Sequence, residues 1–567
     1  MAFQVSPGVQ VKEIDATAVV PAVSTSIGGF AGVFNWGPVN EVVTVSSEQQ
    51  LAEVFGSPDS STCGYFLTAS SFLKYGSVLK AVRVKTGNKN ATADGSGLLI
   101  ENDSDYVNQY AAGSNSKGTW AAKHPGVLGN GLKVCVITEG VNSYSTLEYA
   151  TGLKYSSVFD AAPGTSEYAE NLGKGTIGDE LHVLVLDETG VWSGTANTVL
   201  ESYSFLSQAA DAKKSDGTSN YYVDVINSNS AYIRWLDHPS GLGDAGGNLT
   251  ALSTIAGSTS AITNSLSGGT DDNAPTTGEI SLGLDLLKDS STVDVGLLFA
   301  YPDANNQEVI AEKLVEVANL RKDCIAFLSP PIADSQGSSQ PVTDVLEWAN
   351  GISSSSYAVI DSGAVYVYDK YNDNFVWIGA AGHLAGLCAN TDNVADSWFS
   401  PAGVNRGQLL GVSKLAYNPA QADRDSLYKA RVNPIVSLPG QGTILFGDKT
   451  ALKRPSAFDR INVRRLFITL EKAISTAAEA QLFEFNDEFT RAQFLNLVEP
   501  FLRDVKGRRG VTDFRVVCDT TNNTSQVIDS NSFVADIFVK PARSINFVTL
   551  NFVATRSGVE FSEISGG

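Results

Sequence analysis

Residues 293–301 (VDVGLLFAY), 307–323 (QEVIAEKLVEVANLRKD), 324–331 (CIAFLSPP), 341–352 (PVTDVLEWANGI) and 357–369 (YAVIDSGAVYVYD) decide the fold class. The first and third are short apolar runs bounded by turn residues and read as buried strands. The second and fourth carry apolar residues at helical spacing and read as amphipathic helices. The fifth reads as one strand or two. Strand and helix in alternation are the grammar of an α/β layer. The same grammar opens the chain. Residues 24–34 (STSIGGFAGVF) form a Gly-rich apolar strand, and Asn35-Trp36-Gly37-Pro38 a turn. Ser47 opens a helix that stops near Phe55-Gly56, ahead of Ser57-Pro58. A second helix holds Phe66, Leu67, Ser70, Phe72 and Leu73, and VLKAVRV (78–84) alternates as a strand does.

Between these halves the composition changes. From 88 to 290 Ser, Gly, Asn, Thr and Asp dominate, with strand-like runs such as KVCVITE (133–139) and LHVLVLDE (181–188). This reads as a β-rich, outward-facing insertion with long loops. Residues 461–485 (INVRRLFITLEKAISTAAEAQLFEF) predict a long helix with Leu466, Leu470, Ile474, Ala477, Ala478 and Leu482 on one stripe. Thr490-Arg-Ala-Gln493 fits a capping box for a second helix. Phe494, Leu497, Val498, Phe501, Leu502 and Val505 share one face of it, Pro500 should kink it, and Gly507 or Gly510 should stop it. Three strands follow: DFRVVCD, SFVADIFVK and SINFVTLNFVAT. Both ends read as extended arms: Val5, Val9 and Val11 around Pro7-Gly8 at one end, and Val559, Phe561 and Ile564 at the other. The expected fold is therefore a multidomain α+β or α/β protein. An arm (1–20) leads into a discontinuous α/β middle domain (21–87 and 291–448) interrupted by the insertion (88–290). A C-terminal domain of two helices and an antiparallel sheet (449–554) and a second arm (555–567) complete it.

At 567 residues and 43% apolar content, cores of ordinary size can form. No run of eighteen apolar residues occurs, so no membrane-spanning segment is expected. MAFQVSPGVQVKEID has no basic start and no apolar centre, so a secretion signal is not expected and cytosolic folding is. The five cysteines are scattered without a C-x-x-C pair and read as buried free thiols. A net charge of −21 argues against binding nucleic acid or anionic membrane. The charge is uneven: 24 Asp/Glu against 10 Lys/Arg in 88–290, but 13 Lys/Arg against 9 Asp/Glu in 449–515.

Chemistry is harder to find. None of His124, His182, His238 and His383 pairs with another at i, i+4. Two G-x-G-x-x-G matches, Gly173–Gly178 and Gly241–Gly246, lack the preceding strand and following helix that a dinucleotide site needs. No P-loop, G-x-S-x-G or EF-hand pattern occurs. The acid pairs Asp271-Asp272 and Asp487-Glu488 sit among polar loop residues and read as exposed turns. A hydrolase site would have to be assembled from distant residues such as Asp361 or His383. No catalytic residue, metal or cofactor is expected.

Several segments together resemble the contractile tail sheath proteins of bacteriophages. SPGVQVKEID and the following STSIGGFAGVFNWGPVNEVVTVSSEQQLAEVFG look like that family's opening, with its G-P-x-N turn at Gly37, Pro38 and Asn40. HPGVLGNGLKV (124–134) is similar to its P-G-x-x-G-N-x-L segment. The C-terminal INVRRLFITLEKAI, FEFNDEFT, GVTDFRVVCDTTNNT and KPARSINFVTLNF follow in the family's order. Where the family commonly reads F-E-P-N, this chain has Phe483-Glu484-Phe485-Asn486, which removes a helix-stopping proline. The resemblance implies a non-enzymatic virion subunit, assembled in the host cytoplasm. It would form stacked six-fold rings around an inner tail tube, contact baseplate and tail terminator proteins, and contract to drive the tube through a bacterial envelope. Direct binding of nucleic acid or stable membrane association is not implied. On this reading Val9, Val11 and Glu13, and Val559, Phe561 and Ile564, add strands to neighbouring C-terminal sheets, with Ala16–Val20 and Ser557-Gly558 as joints. Arg464, Arg465, Lys472, Lys506, Arg508 and Arg509 become candidates for contact with an acidic tube. The sheath of a phage-derived injection device, or more distantly a glycan-binding surface protein, stays open.

Overall fold

A computed structural model describes residues 24–546, apart from 114–115, 243–244, 253–254, 256 and 303–306. Both terminal arms, most of the third C-terminal strand (544–555) and part of the Gly241–Gly246 match lie outside the described residues. The chain divides into two units: 24–396 with Pro401–Ile461, and 462–546 with Ser397–Ser400.

The first unit is built on a seven-stranded sheet. Its order is Val432–Asn433, Ala358–Asp361, Ile325–Leu328, Leu297–Phe299, Gly28–Gly32, Leu79–Arg83, Val42–Val45. All pairings are parallel except that of the edge strand Val42–Val45. The interior strand Gly28–Gly32, GGFAG, is fully buried and three of its five residues are glycine. A Cβ on Gly28 would meet the Phe72 ring at 2.7 Å, and one on Gly29 would meet Val295 and Leu298 at 2.7 and 2.8 Å. Neighbouring residues of a strand point to opposite faces. Helix Cys63–Leu73, which carries Phe72, therefore presses on one face, and Leu287, just past helix Thr277–Asp285, on the other. Phe30, Phe72 and Phe299 meet between the layers, with both Phe30 and Phe72 5.4 Å from Phe299. The predicted helices and strands of this layer are present: Glu48–Phe55, capped by Ser47, and Gln307–Arg321 and Pro341–Gly351. YAVIDSGAVYVYD is two strands in two sheets, separated at Gly363 (φ +132°). The second, Ala364–Asp369, is central in a three-stranded antiparallel sheet.

One buried helix, Ala381–Val394, escaped the sequence reading. Its inner face is made of small residues. A Cβ on Gly382 would collide with Ser71 and the Thr68 carbonyl, and one on Gly386 with the Tyr75 ring. The two helices approach backbone to backbone there, an arrangement that leaves no apolar stripe to read.

The insertion carries a four-stranded antiparallel sheet in the order Ile262–Ser265, Leu132–Thr138, Glu180–Asp187, Thr198–Ser207. Trp36, Trp120, Tyr222 and Trp235 contribute to its core. It ends earlier than expected, because helix Thr277–Asp285 packs on the strands Gly28–Gly32 and Leu79–Arg83 and belongs to the middle layer. Asp271 and Asp272 are not in an exposed turn. Both are half-buried where the insertion rejoins, accepting the amides of Val127 and Gly87 at 3.1 and 3.2 Å.

In the second unit the long helix covers Ile461–Glu479, six residues less than expected. The helix thus ends without the family's proline, and in the turn beyond it Phe483 takes a left-handed φ of +71°. The second helix is Glu488–Gly507, and its cap is Asp487, which accepts the Thr490 amide at 2.9 Å. The Thr490 capping box is thus corrected: an aspartate one turn earlier satisfies the first amides, and Thr490 is buried inside the helix. The helix runs through Pro500. Leu466, Leu470, Ile474, Phe494, Val498 and Leu502 form much of the core with Trp398, whose indole donates to the Arg508 carbonyl at 3.1 Å. Four cysteines are buried and Cys63 is half-buried, a small departure from the expectation; all five are free.

Glycine substitutions separate packing from propensity. Gly29→Val should lower stability by about 1–3 kcal/mol through overpacking. Gly278→Ala, in a helix and with nothing within 4 Å of the new Cβ, should raise it by about 0.5–1 kcal/mol. Urea unfolding midpoints of the two full-length variants check both signs.

Candidate assembly surface

The C-terminal sheet has two strands among the described residues. Val511–Val517 pairs antiparallel with Asp536–Pro541, and among the described residues neither strand has a second partner. Phe514, Val516, Ile537 and Val539 pack down on the helices, while Phe538 on the outer face is 60% exposed. An edge strand offers backbone donors and acceptors to a further strand, and among the described residues each strand of this ribbon has one such edge.

Between the two helices lies a turn that exposes large apolar side chains. Leu482, Phe485 and Phe489 are 63%, 84% and 75% exposed, and Phe483 is fully exposed. The turn is held from beneath. Asn486 donates to the Ser532 carbonyl at 2.7 Å and to Asn523 at 3.2 Å, and accepts from buried Arg491 at 2.7 Å. Acidic Glu484, Asp487 and Glu488 interleave with the aromatics, all exposed. Helical spacing had placed Leu482 on the core stripe, but it lies beyond the helix end. The signal that was present is compositional: three phenylalanines among seven residues, with acids between them.

The predicted tube-facing residues divide. Arg464 and Arg465 are 6% and 2% exposed and so leave the candidate surface. They sit in a helix whose flanking positions Val463, Leu466 and Ile468 are all buried, so nearly its whole circumference is covered there. Lys472 is half-buried, and Lys506, Arg508 and Arg509 are exposed. Lys506 lies 3.1 Å from Asp513, and the Arg508 guanidinium sits 5.1 Å above the Trp398 ring. The arm residues Val9, Val11, Glu13, Val559, Phe561 and Ile564 lie outside the described residues.

Three of the titratable groups considered for chemistry, Asp361, His182 and His383, make structural hydrogen bonds, whereas buried His124 Nδ1 and His383 Nε2 have no hydrogen-bond partner among the described residues. Asp361 is fully buried at the end of its strand, accepting from the Ser329 hydroxyl at 2.5 Å and the Gly363 amide at 2.8 Å. Burial pushes its carboxyl up to about 7, against those two hydrogen bonds. His383 is buried in its helix. Its Nδ1 accepts from the Tyr75 hydroxyl at 3.0 Å, which in turn accepts the Leu410 amide at 2.6 Å. Burial, with Lys74 nearby, holds it down to about 3, so it is neutral. His182 donates Nε2–H to the Ala161 carbonyl and accepts the Phe205 amide on Nδ1, both at 2.9 Å. Asp361 and His383 thus face different partners and make no dyad. Among the described residues no cluster of metal-ligating side chains occurs, and no helix is long and apolar enough to cross a membrane.

Comparison with known proteins gives three family matches in chain order. The Gp18 domain III N-terminal region of tail sheath proteins matches 25–84, the phage tail sheath protein central domain 273–451, and the phage tail sheath C-terminal domain 453–555. The unmatched interval coincides with the insertion. The tail sheath protein of Vibrio phage KVP40 is 35% identical, covering 99% of both chains. That of Enterobacteria phage T4 is 32% identical, again over 99% of both. Among solved structures, the helical sheath of the anti-feeding prophage in its contracted state shares the fold. Its TM-score is 0.50 and its identity 13%, over 98% of this chain and 100% of that one.

The Asp361 carboxyl carries a pH signature. Its folded pKa lies above the ordinary value, so the folded state holds a proton that the unfolded chain has released between about pH 4 and 7. The stabilisation is present below that window and is lost as pH rises through about 7. Asp361→Asn should match the parent near pH 4 and exceed it at pH 8 by about 2–4 kcal/mol. Melting curves at the two pH values check the difference.

Proposed function

The chain belongs to the bacteriophage tail sheath family and is a contractile sheath subunit, a structural virion component; from that premise we propose how it assembles. Subunits stack as six-fold rings around an inner tail tube, between baseplate and tail terminator, and contraction drives the tube through the bacterial envelope. Assembly takes place in the host cytoplasm. No nucleic acid is bound directly, no membrane association is stable, and no catalysis is involved. Full-length identity to phage sheaths favours a phage tail over a phage-derived injection device.

The observation that supports the reading is the C-terminal ribbon, whose strands have no second partner among the described residues. Arms from neighbouring subunits, through Val9, Val11 and Glu13 and through Val559, Phe561 and Ile564, would add strands to its edges. An extended arm of eight residues reaches about 26 Å. Four to six backbone hydrogen bonds at roughly 1 kcal/mol net would give each arm several kcal/mol. Two arms per subunit would keep the lattice connected while the bodies slide. The acidic insertion would face outward, where its charge aids solubility. The basic excess of residues 449–515 suits two partners, an acidic tube surface or neighbouring subunits. Lys472, Lys506, Arg508 and Arg509 are accessible for either.

Removal of residues 1–15 should leave a folded, soluble monomer. In negative-stain micrographs the parent should give hollow striated tubes and the truncated chain none. Tubes of normal length from the truncated chain would sink the strand-exchange reading.

A further inference from the structure

We propose that the aromatic, acidic turn at Phe483–Phe489 docks on the basic end of the Glu488–Gly507 helix of a second copy of this chain. The proposal rests on the sheath reading and names one contact within it.

Two features point to an occupant of stated chemistry. The turn is preorganised, since Asn486 and Arg491 fix it from beneath, yet Phe483, Phe485 and Phe489 are largely exposed. Rigid aromatics already in place bind with little ordering cost. Glu484, Asp487 and Glu488 interleave with them, so the complement is a cluster of cations that can pair with carboxylates and lie against rings. Such clusters are scarce in a chain of net charge −21. One lies at the far end of the same helix, where Arg503, Lys506, Arg508 and Arg509 are exposed.

The two ends cannot meet within one subunit. Twenty helical residues span about 30 Å, and the helix holds its own acidic and basic ends apart. The contact must therefore run between copies. The existing ion pairs at the basic end, Lys506 with Asp513 at 3.1 Å, Arg508 with Asp504 at 3.6 Å and Arg503 with Glu499 at 3.9 Å, are surface pairs that a neighbour can replace at little cost. Joining unlike patches head to tail is a heterologous contact, which builds rings or open helices and not closed dimers.

Charge reversal in the full-length chain tests this. Glu484→Lys with Glu488→Lys leaves the Asp487 cap intact; Lys506→Glu with Arg509→Glu alters the other end. Each pair should leave the monomer's melting temperature within a few degrees of the parent and raise the concentration needed for tubes at least tenfold, read by sedimentation and negative stain. The chain carrying all four changes should recover assembly, because its two ends are again opposite. Phe485→Ser with Phe489→Ser should weaken assembly without rescue. Tubes at the parental concentration from either reversed pair, or no recovery in the fourfold chain with its monomer folded, would overturn this contact alone. A parent chain that never associates would overturn the sheath reading with it.

Discussion

The architecture of the first unit depends on how closely two helical layers approach the strand Gly28–Gly32. With no side chains at Gly28 and Gly29, Phe72 on one face and Val295 and Leu298 on the other, with Leu287 close behind them, take the space that Cβ atoms would occupy. That strand pairs with Leu79–Arg83 on one side and Leu297–Phe299 on the other. The flanking strands are separated in sequence by the whole insertion. The insertion must therefore leave and return at adjacent points of one sheet, and its own sheet folds as a side excursion without disturbing the central register. Domain insertions are tolerated where the entry and exit of the chain lie close together.

The junction carries a cost. Arg83, at the end of its strand, is fully buried and donates Nη1 to the Gly37 carbonyl at 2.9 Å, while Nε and Nη2 have no protein partner. Burial pushes its guanidinium down to about 10 despite the nearby Asp271 carboxylate. Burial likewise raises Asp271, against the field of Arg83. A buried cation with unmet donors is among the more expensive features a fold can keep. Here it ties three segments at one point: the Gly37 turn, the strand end, and the returning chain at Asp271. Gly37 itself takes φ +93°, and a Cβ there would strike Phe55 at 2.7 Å, so the turn has few sequence solutions.

Legibility in the sequence followed the size of the side chains doing the packing. Parallel strands with Val, Ile, Leu and Phe, and helices with a wide apolar stripe, were readable because their burial is written in bulky residues. Helix Ala381–Val394 was not, because its packing depends on what Gly382 and Gly386 lack. The same periodicity misled at the end of the long helix: Leu482 continued the stripe, but the helix had already ended at Glu479. The inward set Arg464 and Arg465 shows the reverse error, for charge alone suggested surface where a helix is covered nearly all round. The insertion's end was misplaced because the polar composition continues into helix Thr277–Asp285, whose role is fixed by Ile280, Gly283 and Leu284 on its buried face. The exposed aromatic turn had a sequence signal, but burial of phenylalanine is the default expectation, and only coordinates can reveal that it is not met.

A monomer that displays this turn holds apolar surface in reserve. Burying one phenylalanine contributes about 1.5–3 kcal/mol, so three amount to roughly the stability of a small domain, released on assembly. Uncontrolled, the same surface would aggregate. The interleaved Glu484, Asp487 and Glu488 oppose that outcome, since two turns brought face to face set six carboxylates against one another. The symmetric pairing that would cap growth at a dimer is thereby disfavoured, whereas a basic surface relieves the repulsion and covers the rings at once. Growth from one copy to the next then needs no chemistry. On the proposed contact the driving force is spent as each subunit joins, and burial of the rings with pairing of the carboxylates is enough to order the polymer.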